Sequence, residues 1–310
     1  MALVSVIGAT GRQGLAQIRQ LVAAGHKVRA LSRDENPNLG MTNADIETRQ
    51  IDLYEPATFI PALEGSEAVF YNHPLQLRDE RAALAGVIGK ACADVGAKRF
   101  VWNTSSWIPD KPGDPFSYAG NTAGINALWR SGVPATVFGS VLFMDNLLTN
   151  WARPFIVHES RYVYPHQPHL AANWISLDDV GKIMVAALER PDLEGAWMNI
   201  GGPERLYPPQ VAEILSETSG RPIKYDPCTP EEFGDYLVEA LGDSMPEEQR
   251  APYSAGIAAF YQYNNNSPTK PFEVDTDHMQ ARLPEIEFET LRDWCKRQDW
   301  SDGAHRPSGG

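Results

Sequence analysis

Through its first half the chain alternates short apolar runs with longer stretches in which apolar side chains return every three to four residues. That rhythm predicts strands over 3–7, 27–32, 47–52, 67–72, 99–103 and 135–138, separated by amphipathic helices, the pattern of βαβ units feeding a parallel sheet. A helix over 13–24 sets Leu15, Ile18, Leu21 and Val22 on one face and stops at Gly25; a second, over 78–95, stops in the same way at Gly96. Beyond Gly139 the rhythm loosens, and proline and aromatic residues crowd 151–174, the texture of loops over a ligand crevice. One further unit returns to the sheet: Ser176 caps a helix running to 188, Asp178 and Asp179 serve its first turn, and a strand follows over 196–200. From Gly201 onward, helical spacing over 209–218, 231–241, 246–263 and 288–296 predicts a smaller, mostly helical lobe, and 301–310 reads as a loose tail.

A chain of 310 residues, 43% hydrophobic and 22% charged, suffices for one large domain and a smaller one. The formal charge of −13 opposes binding to phosphate backbones, so no nucleic-acid partner is expected. Cys92, Cys228 and Cys295 lie far apart, with no Cys-x-x-Cys pair, which fits a reducing compartment. The apolar start at Ala2-Leu-Val-Ser-Val-Ile7 is too short for a secretory leader or a bilayer span, and a cytoplasmic protein without membrane association is expected. His158, His166 and His169 lack carboxylate or thiol companions at ligand spacing, so no metal is expected.

The sharpest chemical signal is Gly8-Ala-Thr-Gly11-Arg-Gln-Gly14, which follows the first strand and opens the first helix. Glycine permits the close backbone approach a pyrophosphate needs, and the helix N-terminus favours negative charge. This context predicts an α/β fold: a doubly wound parallel Rossmann sheet with a smaller, mostly helical C-terminal lobe. The dinucleotide-binding domain is expected over 1–150 with a return segment at 176–201, and the substrate or partner lobe over 151–175 and 202–310. The second strand ends in Ser32-Arg33, where an acid would select the ribose hydroxyl of NAD. Arg33, with Arg12, offers guanidinium forks to a 2′-phosphate, which favours NADP(H); the other reading makes Asp34 the hydroxyl ligand.

With these residues in place, the chain resembles the NmrA-like branch of the atypical short-chain dehydrogenases/reductases. The resemblance rests on the glycine turn, Gly132-Val-Pro-Ala-Thr136, Phe143-Met-Asp-Asn146-Leu-Leu148, Trp174-Ile-Ser-Leu-Asp-Asp179-Val180 and Gly201-Gly-Pro-Glu204, in this order. It implies NADP(H) bound through Gly8, Thr10, Gly11, Arg12, Gln13 and Gly14, with Arg33 at the basic position. It further implies Asp52 and Leu53 beside the adenine, and Asn72 and His73 toward the nicotinamide; ordinary turn chemistry is the other reading of Asp52 and Asn72.

The wider superfamily uses a Tyr-x-x-x-Lys pair, in which the lysine charge lowers the tyrosine pKa. Here Asn121 falls at the lysine position, facing the cofactor, and Ser117 at the tyrosine position, with Tyr118 one residue out of register. Shifting the register pairs Tyr118 with Thr122, again without a cation. Tyr118 and Ser105 remain the catalytic candidates, Ser106 shares the position after the fifth strand, and pocket packing is the other role for Tyr118. Tyr71, Trp107, Phe143, Met144 and Trp151 are the candidate substrate-pocket residues. Two functions stay open: an NADPH-dependent oxidoreductase for a small aromatic or polyketide-like substrate, and a non-catalytic NADP(H) sensor that engages a protein partner.

Overall fold

The computed structural model describes residues 1–74, 77, 80–110, 116–242 and 245–301, with the side chains of 116, 117 and 119 left aside. Positions 78 and 79 of the expected second helix, the side chain of Ser117 and tail residues 302–310 lie outside the described set. Two compact units divide the chain. The first holds Met1–Ser140, Leu177–Ile200 and Asp277–Glu287; the second holds Val141–Ser176, Gly201–Thr276 and Phe288–Gly310. The division thus comes ten residues before the expected boundary at 150, and a late segment returns to the first unit.

The first unit is built on a seven-stranded, wholly parallel sheet: β1 Leu3–Ile7, β2 Lys27–Ser32, β3 Ile46–Gln50, β4 Ala68–Asn72, β5 Arg99–Asn103, β6 Ala135–Ser140 and β10 Trp197–Ile200. Their order is β10-β6-β5-β4-β1-β2-β3, so the chain reverses direction of travel between β1 and β4. In doubly wound sheets that reversal opens a crevice at the carboxyl ends of the strands. Strand side chains alternate across the sheet. Val69, Tyr71, Phe100 and Trp102 are fully buried in the core with Leu84, Ile88, Ile125 and Leu128, which come from α3 Arg81–Asp94 and α4 Phe116–Arg130. Val6, Phe70 and Val101, the alternate positions, are just as buried. On β1 and β2 packs α1 Arg12–Ala23, itself against α6 Leu177–Ala186. Both helices bury the faces their apolar spacing marks out, Ile18 and Leu21 in α1 and Val180, Ile183 and Met184 in α6. The short α2 Phe59–Leu63 joins the α3 side.

At the sheet edge, β3 is mostly exposed and carries Glu47 and Arg49, charges that discourage pairing with another strand. Glu47 also receives the guanidinium of buried Arg29 at 2.6 Å. In α6 the buried Asp179 accepts from Lys182 Nζ at 2.7 Å, which gives that acid a structural partner.

The second unit carries the short strand pairs β7 Leu142–Phe143 with β9 Trp174–Ile175 and β8 Arg161–Tyr162 with β11 Lys224–Tyr225. Its helices include α5 Arg153–Glu159, α7 Pro208–Ser219, α8 Pro230–Leu241, α9 Glu247–Asn266 and α11 Leu291–Lys296; the last helix before α11 in the chain is α10 Thr276–Arg282. The stretch expected as loop therefore contains a helix, because Pro154 stands in the first turn of α5, where its missing N–H costs nothing. An aromatic cluster fills this unit, with Trp151 edge-on to Tyr164 at 5.5 Å and to Phe233 at 5.1 Å. Among the described residues no helix is long and apolar enough to cross a membrane.

Candidate functional site

The turn after β1 is shaped for close approach by something other than a side chain. Gly8 has φ +79°, in the left-handed region that favours glycine. Gly11 donates to the Gly8 carbonyl at 3.1 Å and then caps α1 without a side-chain hydrogen bond. A Cβ at Gly14 would stand 2.3 Å from the Gly8 oxygen and 2.7 Å from Ala9 Cα, so the first turn of α1 lies directly on the turn backbone. No acid occupies the first turn of α1, and Thr10 and Gly11 are exposed. A helix N-terminus of this kind presents N–H donors and positive dipole to an anion.

Asn72, at the end of β4, backs this turn: its Cβ and carbonyl oxygen are the atoms nearest a Cβ built on Gly8, both at 3.4 Å. Its amide pairs reciprocally with buried Gln17 of α1, each Nδ2 or Nε2 donating to the other's oxygen at 2.8 Å. A further donation to the Ile7 carbonyl at 3.2 Å completes the amide's bonding. Asn72, expected beside the nicotinamide, thus ties α1 to the sheet through its side chain.

His73 is likewise occupied. Its Nε2 lies 2.6 Å from the Leu77 carbonyl, which can only accept, so the proton sits on Nε2. Tyr71 Oη then donates to Nδ1 at 2.6 Å. Burial, aided by the Arg81 charge, lowers the His73 pKa to about 4, and the ring is neutral near pH 7. Burial pushes the Tyr71 hydroxyl well above its usual range, although the Arg81 charge opposes this. Tyr71 is fully enclosed between Phe100 and Trp102, in the core rather than in a pocket.

At the end of β2, Arg33 is exposed. Ser32 Oγ accepts from the Asp34 N–H at 2.9 Å, and Asp34 Oδ1 accepts from the Asn36 N–H at 3.0 Å, so the Asp34 carboxylate is engaged in a local turn. Asp52 makes a similar turn, accepting from the Tyr54 N–H at 3.0 Å, and Leu53 packs on the core.

The loop after β5 joins two polar groups. In the first, Asn103 Nδ2 donates to Gln13 Oε1 at 2.7 Å, Gln13 Nε2 donates to Ser105 Oγ at 2.8 Å, and Ser140 Oγ donates to Asn103 Oδ1 at 2.8 Å. Ser105, with φ +57°, is bent into the left-handed region that serines seldom occupy. In the second, Asn121 of α4 is fully buried and donates to Ser106 Oγ at 2.9 Å and to the Trp107 carbonyl at 2.7 Å. Its oxygen accepts from Arg81 Nη1. Asn121, expected to face the cofactor, is thus committed inside the protein. Tyr118, on the same helix, is 1% exposed. Of the other pocket candidates, buried Trp107 belongs to the first unit, and Phe143, Met144 and Trp151 to the second.

Sequence reading missed Gln17, Asn103, Ser140 and Arg81. Polar residues at the carboxyl ends of β5 and β6 were a usable signal for Asn103 and Ser140; nothing local marks Arg81.

Comparison with known proteins adds to this geometry. The NmrA-like family is matched over residues 1–294. The chain belongs to the NmrA-like family. It is 30% identical over 279 residues to an NAD(P)H azoreductase of Xenophilus azovorans, covering 87% of this chain and 95% of that protein. Among solved structures it resembles the triphenylmethane reductase of Citrobacter sp. complexed with NADP(H), at a TM-score of 0.75 and 19% identity, over 96% of this chain and 99% of the other. NmrA, a negative transcriptional regulator, in complex with NADP superimposes at a TM-score of 0.71 and 17% identity, over 96% and 94%. In this NmrA-like chain the shared fold places the glycine turn at the head of α1, and the cation-free position 121 is filled by an amide.

Proposed function

We propose that this NmrA-like chain is an NADPH-dependent oxidoreductase for a small, electron-poor aromatic acceptor such as an azo compound or a quinone. The observation that carries the reading is the turn from Gly8 to Gly14, a tightly packed glycine turn with left-handed Gly8 that leads into an acid-free helix head. Those residues fit a dinucleotide: the turn amides would hold the pyrophosphate, and Arg12 and Arg33 the 2′-phosphate. The azoreductase named for NAD(P)H supports the substrate class. When bound, the reduced nicotinamide supplies two electrons and a proton as hydride. The protein's own part is to hold the acceptor and steady the negative charge that develops on it, a task for the half-buried Ser105 and Ser106 hydroxyls. Water then delivers the second proton, so no strong protein acid is required, and enclosed Tyr118 serves as packing.

The test is fluorescence titration with NADPH and NADH, followed by NADPH oxidation with menadione and methyl red. NADPH is expected to bind more tightly, and Arg33→Ala to weaken it about tenfold while leaving NADH unchanged, the worth of one charge-assisted contact. Tighter binding of NADH would overturn the cofactor assignment. Binding without turnover of any acceptor would favour the sensor reading, which the amide at position 121 supports.

A further inference from the structure

We propose that Arg81 supplies from α3 the positive charge that position 121 lacks, and that it acts through the Asn121 amide to hold and polarise the Ser106 hydroxyl, which donates to the acceptor. This rests on the reductase reading above and names the group that meets the developing charge.

The direction of the hydrogen bonds is fixed by chemistry. A guanidinium only donates, so Asn121 must turn its oxygen toward Arg81 Nη1. Its two N–H groups then face outward, one to the Trp107 carbonyl at 2.7 Å, which only accepts, and one to Ser106 Oγ at 2.9 Å. Ser106 is therefore used as an acceptor, and its own proton is left to give. Within the protein that proton goes to the Thr104 carbonyl at 3.4 Å, a long and weak bond that a developing anion would displace. A charge at the head of such a chain strengthens each bond after it, the more so because Asn121 is fully buried.

The arginine runs along two glycines of α4 at ordinary contact distance, and it is the Trp102 ring that requires glycine at 124. A Cβ at Gly120 would lie 3.8 Å from Arg81 Nη1, and one at Gly124 would lie 3.5 Å from Arg81 Cγ and 2.5 Å from the Trp102 ring. Glycine on both sides of Asn121 leaves a bare strip of α4 along which the arm lies. The charge is also felt at the end of β4, where it opposes the burial that raises the Tyr71 pKa and adds to the burial that lowers that of His73. His73 is neutral there, so Arg81 meets no opposing cation from that ring.

In the reaction the acceptor gains hydride from NADPH and becomes an anion. Ser106 hydrogen-bonds that anion without losing its proton, and water protonates it. Arg81 is a positioning residue in this scheme; Ser106 touches the substrate.

A double-mutant cycle with Arg81→Met and Ser106→Ala tests this on the full chain with menadione. Each single change is expected to lower kcat about tenfold with KM for NADPH within about twofold, and the double variant to be no worse than either single. Asn121→Lys in the Arg81→Met background is expected to restore most of the rate, because an ammonium at 121 can itself donate to Ser106 and Trp107. Hydrogen exchange of the cofactor-free protein supplies a readout apart from turnover. Arg81→Met should speed exchange over residues 104–108, and Arg81→Lys should not. Multiplying effects in the cycle, or unchanged exchange over that loop, would overturn the proposal. If the wild type binds NADPH but reduces nothing, the reductase reading fails, and with it the donor role of Ser106; the exchange experiment still decides whether Arg81 orders the loop.

Discussion

A methyl group on Gly14 would be driven to 2.3 Å from the Gly8 carbonyl oxygen and 2.9 Å from the Ala9 carbonyl carbon, contacts with backbone that cannot swing aside. At Gly11 the corresponding nearest approach is 3.4 Å, and its φ of −75° suits any residue. The two glycines of one motif therefore have different physical duties. Gly14→Ala is expected to destabilise the protein by about 1–3 kcal/mol, the cost of overpacking, and to abolish NADPH binding. Gly11→Ala should cost under about 1 kcal/mol, with both variants compared by urea unfolding. Equal losses at both positions would show that the spacing, rather than the contact on Gly8, is what matters. Such local features were legible in the chain because the contacts among Gly8, Ala9, Gly11 and Gly14 fall within seven residues. Arg81 was not, since its partner is forty residues away and the meeting depends on how α3 and α4 pack.

Among the elements, those whose identity follows from a sustained period were read well. The apolar runs expected at 3–7, 27–32 and 99–103 coincide with β1, β2 and β5. The strand expected over 47–52 instead runs Ile46–Gln50, with buried Ile51 just past its end, because an exposed edge strand has little apolar pattern to mark its register. The short α2, α5 and α10 carry too few residues for a period to show. What fastens α1 to the sheet was also hidden: the Gln17–Asn72 amide pair sits in a core where sequence reading expects apolar groups. Each amide uses both of its donors, Gln17 reaching Met184 Sδ at 3.1 Å and Asn72 the Ile7 carbonyl. Asn72→Ala leaves the enclosed Gln17 amide without its main partner, at an expected cost of about 1–3 kcal/mol. The double change Asn72→Ala, Gln17→Leu, which removes both polar groups, should recover part of that loss. A double variant weaker than the sum of the singles would contradict the pairing.

For the molecule as a whole, a net charge of −13 at pH 7 falls in magnitude on acidification, which by itself eases repulsion. Buried histidines act the other way. His166 is enclosed by Tyr164, Trp174, Tyr261 and Phe272, with ring centroids 4.4 to 6.2 Å away, and its Nε2 has no hydrogen-bond partner among the described residues. Burial lowers its pKa to about 3. In the unfolded chain the same ring titrates near 6.5. Above that pH neither state takes the proton, and the full stability is present. Below it the unfolded chain binds a proton that the folded chain refuses, so stability falls as the pH drops from about 6.5 toward 3, by ~1.4 kcal/mol per pH unit for one group. His73, lowered to about 4 in its partly buried site, acts in the same direction. Urea unfolding at pH 7, 6 and 5 should therefore show a declining free energy, and His166→Phe, which keeps a flat ring in the cluster, should flatten the decline by about one proton's worth. The comparison is one of slopes, so a general cost of fitting the larger ring does not disturb it. An unchanged slope in that variant would mean that His166 is protonated in the folded state, which would require the aromatic cluster to open to water.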